Sequence, residues 1–212
     1  MIRFDKLIES SLKDEAEFKA RRRGKLATED EICAQAERMI KAGYQPYDRK
    51  AFEELAKYMV YHARGVASRG LMLMGTPGNG KTMWLNSFAG CKVYTAQGMF
   101  DLFLKDKASR IAARERVYLP AYGNEPTNYR SVAIDDIGAE PVAANNYGTV
   151  ENPIQVLLEH RYVEFQRYNS KLYLSTNLDK KQIAERYGER VWSRIRAMCT
   201  IIEFTAEDYR QR

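Results

Sequence analysis

Between residues 71 and 84 the chain reads LMLMGTPGNGKTMW. Its centre, Gly75, Thr76, Pro77, Gly78, Asn79, Gly80, Lys81 and Thr82, fits the spacing G-x-x-x-x-G-K-[ST] without a gap. The three glycines let the backbone curl so that successive N–H groups point inward at phosphate oxygens. A helix expected to begin near Lys81 adds the positive end of its dipole. Lys81 then reaches the β- and γ-phosphates and Thr82 offers a hydroxyl to Mg²⁺, and the nucleotide-binding stretch runs on to Met83. The chemistry such a loop serves is the holding of a nucleoside triphosphate.

Three further stretches carry groups that could act on that nucleotide. SVAIDDIGAE (131–140) is an apolar run ending in two acids. Asp135, at the tip, is placed to hold Mg²⁺ through water, and Asp136 to orient or deprotonate the attacking water. Alone, such acids serve solubility as readily; downstream of a phosphate loop they gain meaning. YLSTN (173–177) ends in Asn177, whose amide can bond the attacking water or the γ-phosphate. In YGERVWSRI (187–195), Arg190 and Arg194 lie four apart and so project from one helix face. They can pair with Glu185, Glu189 or the C-terminal acids, or one can be supplied across a subunit boundary to stabilise charge on the transferring phosphate.

The elements that must position these residues follow from the hydrophobic rhythm. LMLM (71–74), KVYTA (92–96), SVAID (131–135), KLYLS (171–175) and TIIEF (200–204) are short apolar runs expected to be strands. Longer helical patterns separate them, at 81–90, 96–116, 153–169 and 179–198. Buried strands alternating with helices imply a mostly parallel α/β sheet. The segment 117–130 has the Pro, Gly and Asn content of a surface loop. Upstream, Thr28 with Glu31 forms a capping box, Gly43 marks a helix stop, and Ile32, Cys33, Ala36, Met39 and Ile40 recur at helical spacing. Asp48 caps a second helix, whose stripe is Phe52, Leu55, Ala56, Met59 and Ala63.

At 212 residues, 45% hydrophobic and 29% charged, the chain has the composition of a globular protein with one good core. It lacks an apolar run of the roughly 18–20 residues needed to span a bilayer, and its first residues do not read as a secretory signal. Cys33, Cys91 and Cys199 fit neither a disulfide frame nor a zinc site, which suits the cytoplasm. A net charge of +6 permits a polyanionic partner. The basic residues concentrate at 19–25 and 105–116, where they form either solvated helix faces or nucleic-acid contacts.

GTPGNGKT, IDDIGAE, STNL, YGERVWSRI and the closing AEDYR, in this order, resemble the AAA+ ATPases of the DnaC/IstB type, the helicase loaders and transposition helpers. The resemblance runs from about residue 50 to the end and lies nearer the loaders. It implies a P-loop NTPase domain over residues 49–212 with a five-stranded parallel sheet in the order 5-1-4-3-2 and no C-terminal lid. It implies ATP and Mg²⁺ at sites shared between subunits of a homo-oligomer, Arg194 being the finger and Arg190 beside it. Single-stranded DNA is the implied ligand, which the 105–116 cluster would suit. A helical segment, residues 1–48, would dock on a replicative helicase. The family often has Glu at the position of Asp136; the shorter acid here implies slow turnover, or a share of the work for Glu140. The alternatives are a transposition helper acting on duplex DNA, a P-loop kinase for a small molecule, and a protein that binds ATP but barely cleaves it.

Overall fold

The computed structural model describes residues 27–44, 48–65, 67–89, 91–104, 131–146 and 149–205. The basic stretches 19–25 and 105–116, the loop 117–130 and the closing DYR lie outside the described residues. The chain divides into two compact units, Met1–Ala67 and Ser68–Arg212.

In the first unit, helices α1 (Glu29–Lys41) and α2 (Arg49–Ala63) pack against each other. The Thr28–Glu31 capping box forms in both directions, and the Asp48 carboxylate accepts from the Ala51 N–H at 3.0 Å. Each cap satisfies donors that the first helical turn leaves open, at a gain of about 1 kcal/mol. The expected α1 stripe is narrower than read: Met39 is buried, while Cys33 and Ile40 are exposed. Gln35 instead faces α2, with Nε2 on the Met59 sulfur at 3.3 Å. On α2, Phe52, Leu55 and Ala56 are buried as expected, and Ala63 is exposed.

The second unit is built on five parallel strands in the order β2–β3–β6–β1–β7. These are β1 (Gly70–Gly75), β2 (Val93–Thr95), β3 (Val132–Ile137), β6 (Leu172–Thr176) and β7 (Cys199–Phe204). The order is the expected 5-1-4-3-2 read from the opposite edge. Strand β1 lies inside the sheet, between β6 and β7, and is buried along its length, which explains its unbroken Leu71-Met72-Leu73-Met74 run. Each of those side chains contributes about 2 kcal/mol by leaving water.

Helices α3 (Lys81–Phe88), α4 (Ala96–Leu104), α5 (Pro153–Tyr168), α6 (Lys180–Tyr187) and α7 (Glu189–Met198) make the crossovers. Ile134, Leu172 and Leu174 of the sheet meet Leu157 and Leu158 of α5 and Ile195 of α7 in one core.

Two features depart from the sequence pattern. A small antiparallel hairpin, β4 (Ala144–Asn146) with β5 (Thr149–Glu151), stands apart from the main sheet. The helical stretch 179–198 is two helices joined at one residue: Gly188, at φ +89, ends α6 and starts α7. Only glycine takes that conformation without strain, so the backbone turns there and the hydrophobic periodicity, which ignores φ, does not register it. No described helix is long and apolar enough to cross a membrane.

Candidate nucleotide-binding site

All the strands of the main sheet point the same way, so the residues after β1, β3 and β6 gather at its carboxyl edge, where ligands of open α/β sheets bind. Gly75 leaves β1 at φ +145, and a Cβ there would stand 2.3 Å from the Phe204 carbonyl oxygen of β7. The loop therefore starts from a position only glycine can occupy. Gly78 and Gly80 continue it at φ +85 and +75. Asn79 braces the turn from inside, its amide donating to the Thr76 hydroxyl at 3.0 Å. Pro77 is exposed at the tip, and Met83 stays on the outer face of α3.

The Lys81 ammonium is buried, although a lysine at that depth needs partners. It donates to the carbonyls of Gly75 at 2.8 Å and Thr76 at 2.7 Å. Its charge thus sits in the mouth of the loop. Helix α3 packs across β6 and β3, and this carries Thr82 to the acidic strand end. There its hydroxyl donates to Asp135 at 3.1 Å.

The tip of β3 is not a regular strand. The register jumps between Ile134, opposite Leu174, and Ile137, opposite Thr176, so that Asp135 and Asp136 together face Ser175. This is a β-bulge, and Asp136 takes the left-handed conformation at φ +60. Such a residue costs about 1 kcal/mol or more and persists because its surroundings enforce it. Ser175, fully buried, does so: its hydroxyl donates to the Asp135 carboxylate and accepts the Asp136 N–H at 2.9 Å. Thr176 donates to the Ile137 carbonyl at 2.7 Å and accepts from the Leu178 N–H at 3.0 Å. The Asn177 amide, exposed at the same edge, donates to the Asp136 carboxylate at 2.8 Å. Ser175 escapes sequence reading because a hydroxyl inside a buried strand gives no signal until its opposite strand is known.

Glu140, the alternative acid, is placed differently. Its side chain is wholly buried. One oxygen accepts from the Gly138 N–H at 2.8 Å; the other accepts from the Tyr187 phenol at 2.5 Å and from Asn152 and Arg186 at 3.4 Å each. Arg186 also donates to the Glu140 backbone carbonyl. Burial, then the adjacent carboxylate, push the Tyr187 phenol well above its usual range, so it remains a donor.

The two arginines of α7 have separate surroundings. Arg190 is exposed. Arg194 lies back on α5, its guanidinium 5.1 Å from the Tyr162 ring centre and 3.7 Å from a Glu159 carboxylate oxygen. The pairing foreseen with Glu185, Glu189 or the C-terminal acids is thus made, for Arg194, by Glu159 instead.

The cradle suits a triphosphate with its magnesium ion. It combines an ammonium held in the loop's mouth, a hydroxyl already on a carboxylate, and a second carboxylate steadied by an amide. Thr82 and Asp135 are the pair that would face the ion.

No protein-family model matches the chain, and no curated protein matches its sequence. Solved structures do match. The AMPPCP-bound DnaA of Aquifex aeolicus has 15% identity and a TM-score of 0.52 over 76% of this chain and 47% of that one. A replication initiator DnaA bound to AMPPCP and single-stranded DNA has 13% identity and a TM-score of 0.51 over 73% and 46%. The DnaC helicase loader has 17% identity and a TM-score of 0.49 over 76% and 92%. The chain spans about half the length of the DnaA chains it matches. The likeness is one of fold: the chain shares with these DnaA structures a five-stranded parallel sheet flanked by helices.

Proposed function

We propose that the chain is an ATP-binding and ATP-hydrolysing accessory protein of DNA replication, of the helicase-loader type. It binds single-stranded DNA as an ATP-switched homo-oligomer and acts on a replicative helicase. The observation that carries the reading is the Thr82–Asp135 hydrogen bond, which joins the phosphate loop to an acidic tip where Asn177 in turn holds Asp136. The motif order supports the loader assignment, and a DnaA of similar fold is one that holds both AMPPCP and single-stranded DNA.

In this reading Lys81 exchanges its loop carbonyls for phosphate oxygens. The loop N–H groups line the phosphates, and Thr82 and Asp135 are the residues that would hold the ion. A magnesium ion held by Thr82 and Asp135 would supply positive charge to offset that of the phosphates. Asp136 accepts the proton of the attacking water, and Asn177 keeps that carboxylate oriented. Residues 1–48 serve as the partner-docking segment, and Arg194 with Arg190 completes the site of a neighbouring subunit. Phosphate release from ATP, with and without single-stranded DNA across a protein-concentration series, tests the proposal. The expected result is stimulation by DNA and a per-subunit rate that climbs with concentration. A rate flat in concentration and indifferent to DNA overturns it.

A further inference from the structure

Glu140 is more heavily engaged than a strand-end acid needs to be. Burying a carboxylate against a guanidinium is expensive, and an apolar cluster of the same volume would hold the fold as well or better. What apolar packing cannot supply is direction. The donors to Glu140 come from three elements, and each of those elements leads to a part of the proposed site.

The Gly138 N–H belongs to the turn after the bulge, which the Ala139 N–H closes onto the Asp136 carbonyl at 3.1 Å. Arg186 and Tyr187 form the last turn of α6, immediately before the Gly188 joint. From that joint α7 starts without a linker, and the Gly188 carbonyl accepts from the N–H groups of Val191 and Trp192 at 3.1 Å each. The rotation of α7 is fixed by Val191, Trp192, Ile195 and Met198, all buried, and its other face carries Arg190. Asn152 is the N-cap of α5, its carbonyl oxygen accepting from Ile154 and Gln155 while its amide reaches Glu140. Helix α5 is also the one whose Glu159 and Tyr162 hold Arg194. One buried carboxylate is thus the shared acceptor for the Asp136 turn, the start of α5 and the lead-in to α7.

We infer that Glu140 is a positioning residue for the arginine face of α7, setting where Arg190 and Arg194 stand for the neighbouring subunit while its own nucleotide site stays intact. The inference rests on the shared-site reading above. It predicts an asymmetry that a purely structural acid would not produce. A subunit lacking the Glu140 link accepts an arginine normally and offers one badly.

The test mixes subunits in equal amounts and reads phosphate release. Arg194→Ala subunits, which need an arginine, are combined with Asp136→Asn subunits, which hold ATP and offer one. Restored hydrolysis in this mixture establishes shared sites. Its absence overturns the shared-site reading and this inference with it, independently of Glu140. Adding Glu140→Gln to the Asp136→Asn donor should then abolish rescue, by about a hundredfold, since a displacement of about 1 Å costs that much. Glu140→Gln alone, as acceptor beside Asp136→Asn donors, should recover hydrolysis.

The opposite pattern, donors unharmed and acceptors not rescued, would assign Glu140 to the Asp136 turn alone and overturn the inference. Tyr187→Phe guards against a failure to fold. It removes the 2.5 Å phenol contact on the α6 side and leaves the Gly138 contact in place, so it should show the same asymmetry at about tenfold. Amide exchange without nucleotide supplies the second readout. In both variants residues 189–198 should exchange faster while residues 75–82 match wild type; unchanged exchange at 189–198 also overturns the inference.

Discussion

Asp135 and Glu140 stand at the end of the same strand, and both are buried. Their surroundings divide them. Asp135 receives hydrogen bonds from two neutral hydroxyls, Thr82 and Ser175. Glu140 receives a backbone N–H, a phenol, an amide and a guanidinium, and its charge is met inside the fold. The first carboxylate is met by neutral groups; the second is met by a guanidinium as well. Burial alone therefore does not distinguish the two carboxylates, and the set of donors around each does.

Substitutions should separate the two. The largest effect falls on the closed region: Glu140→Ala leaves the Arg186 guanidinium without its counter-charge and should lower unfolding free energy by about 3 kcal/mol. Urea denaturation reads this directly, and Asp135→Asn, which leaves both hydroxyls a partner, should move the same curve by about 1 kcal/mol or less. Equal losses at the two positions would erase the contrast. Next in size is Lys81→Ala. Removing several charge-assisted bonds of about 1.5–3 kcal/mol each should weaken nucleotide affinity by about a hundredfold or more, measured with a fluorescent ATP analogue. An unchanged affinity would remove the phosphate-loop assignment. Ser175→Ala comes third. It strips the bulge of the group that answers the Asp136 N–H and should cost about 1–3 kcal/mol. The smallest effect on the fold belongs to Asn177→Ala, which is exposed: stability should shift by less than about 0.5 kcal/mol while hydrolysis falls by roughly tenfold.

The open region was the legible one. A gapless GTPGNGKT, an apolar run before it and acids at the end of a later apolar run depend on neighbours close in sequence, which spacing reports. The five strands were visible for the same reason, since buried parallel strands read as continuous apolar runs. What sequence did not reveal depends on residues far apart along the chain. Ser175 matters only because the bulge sets it opposite Asp135 and Asp136, some forty positions upstream. Glu140 reads as a spare acid until Arg186 and Tyr187 arrive beside it. The Gly188 joint was hidden because an apolar stripe continues on both sides of it. The β4–β5 hairpin was missed because three-residue strands carry too few alternations to register. The spacing of Arg194 reports only its own helix face, whereas its resting place on Tyr162 belongs to a different helix.

The most direct test of the account is the Asp136→Asn variant, followed in ATP affinity and in a single turnover of cleavage. Affinity should stay within about threefold of wild type and cleavage should slow by about a hundredfold or more, because the amide cannot take the proton of the attacking water. Cleavage within about threefold of wild type would contradict it, since the acid held by the bulge and by Asn177 would then not be the one that activates water.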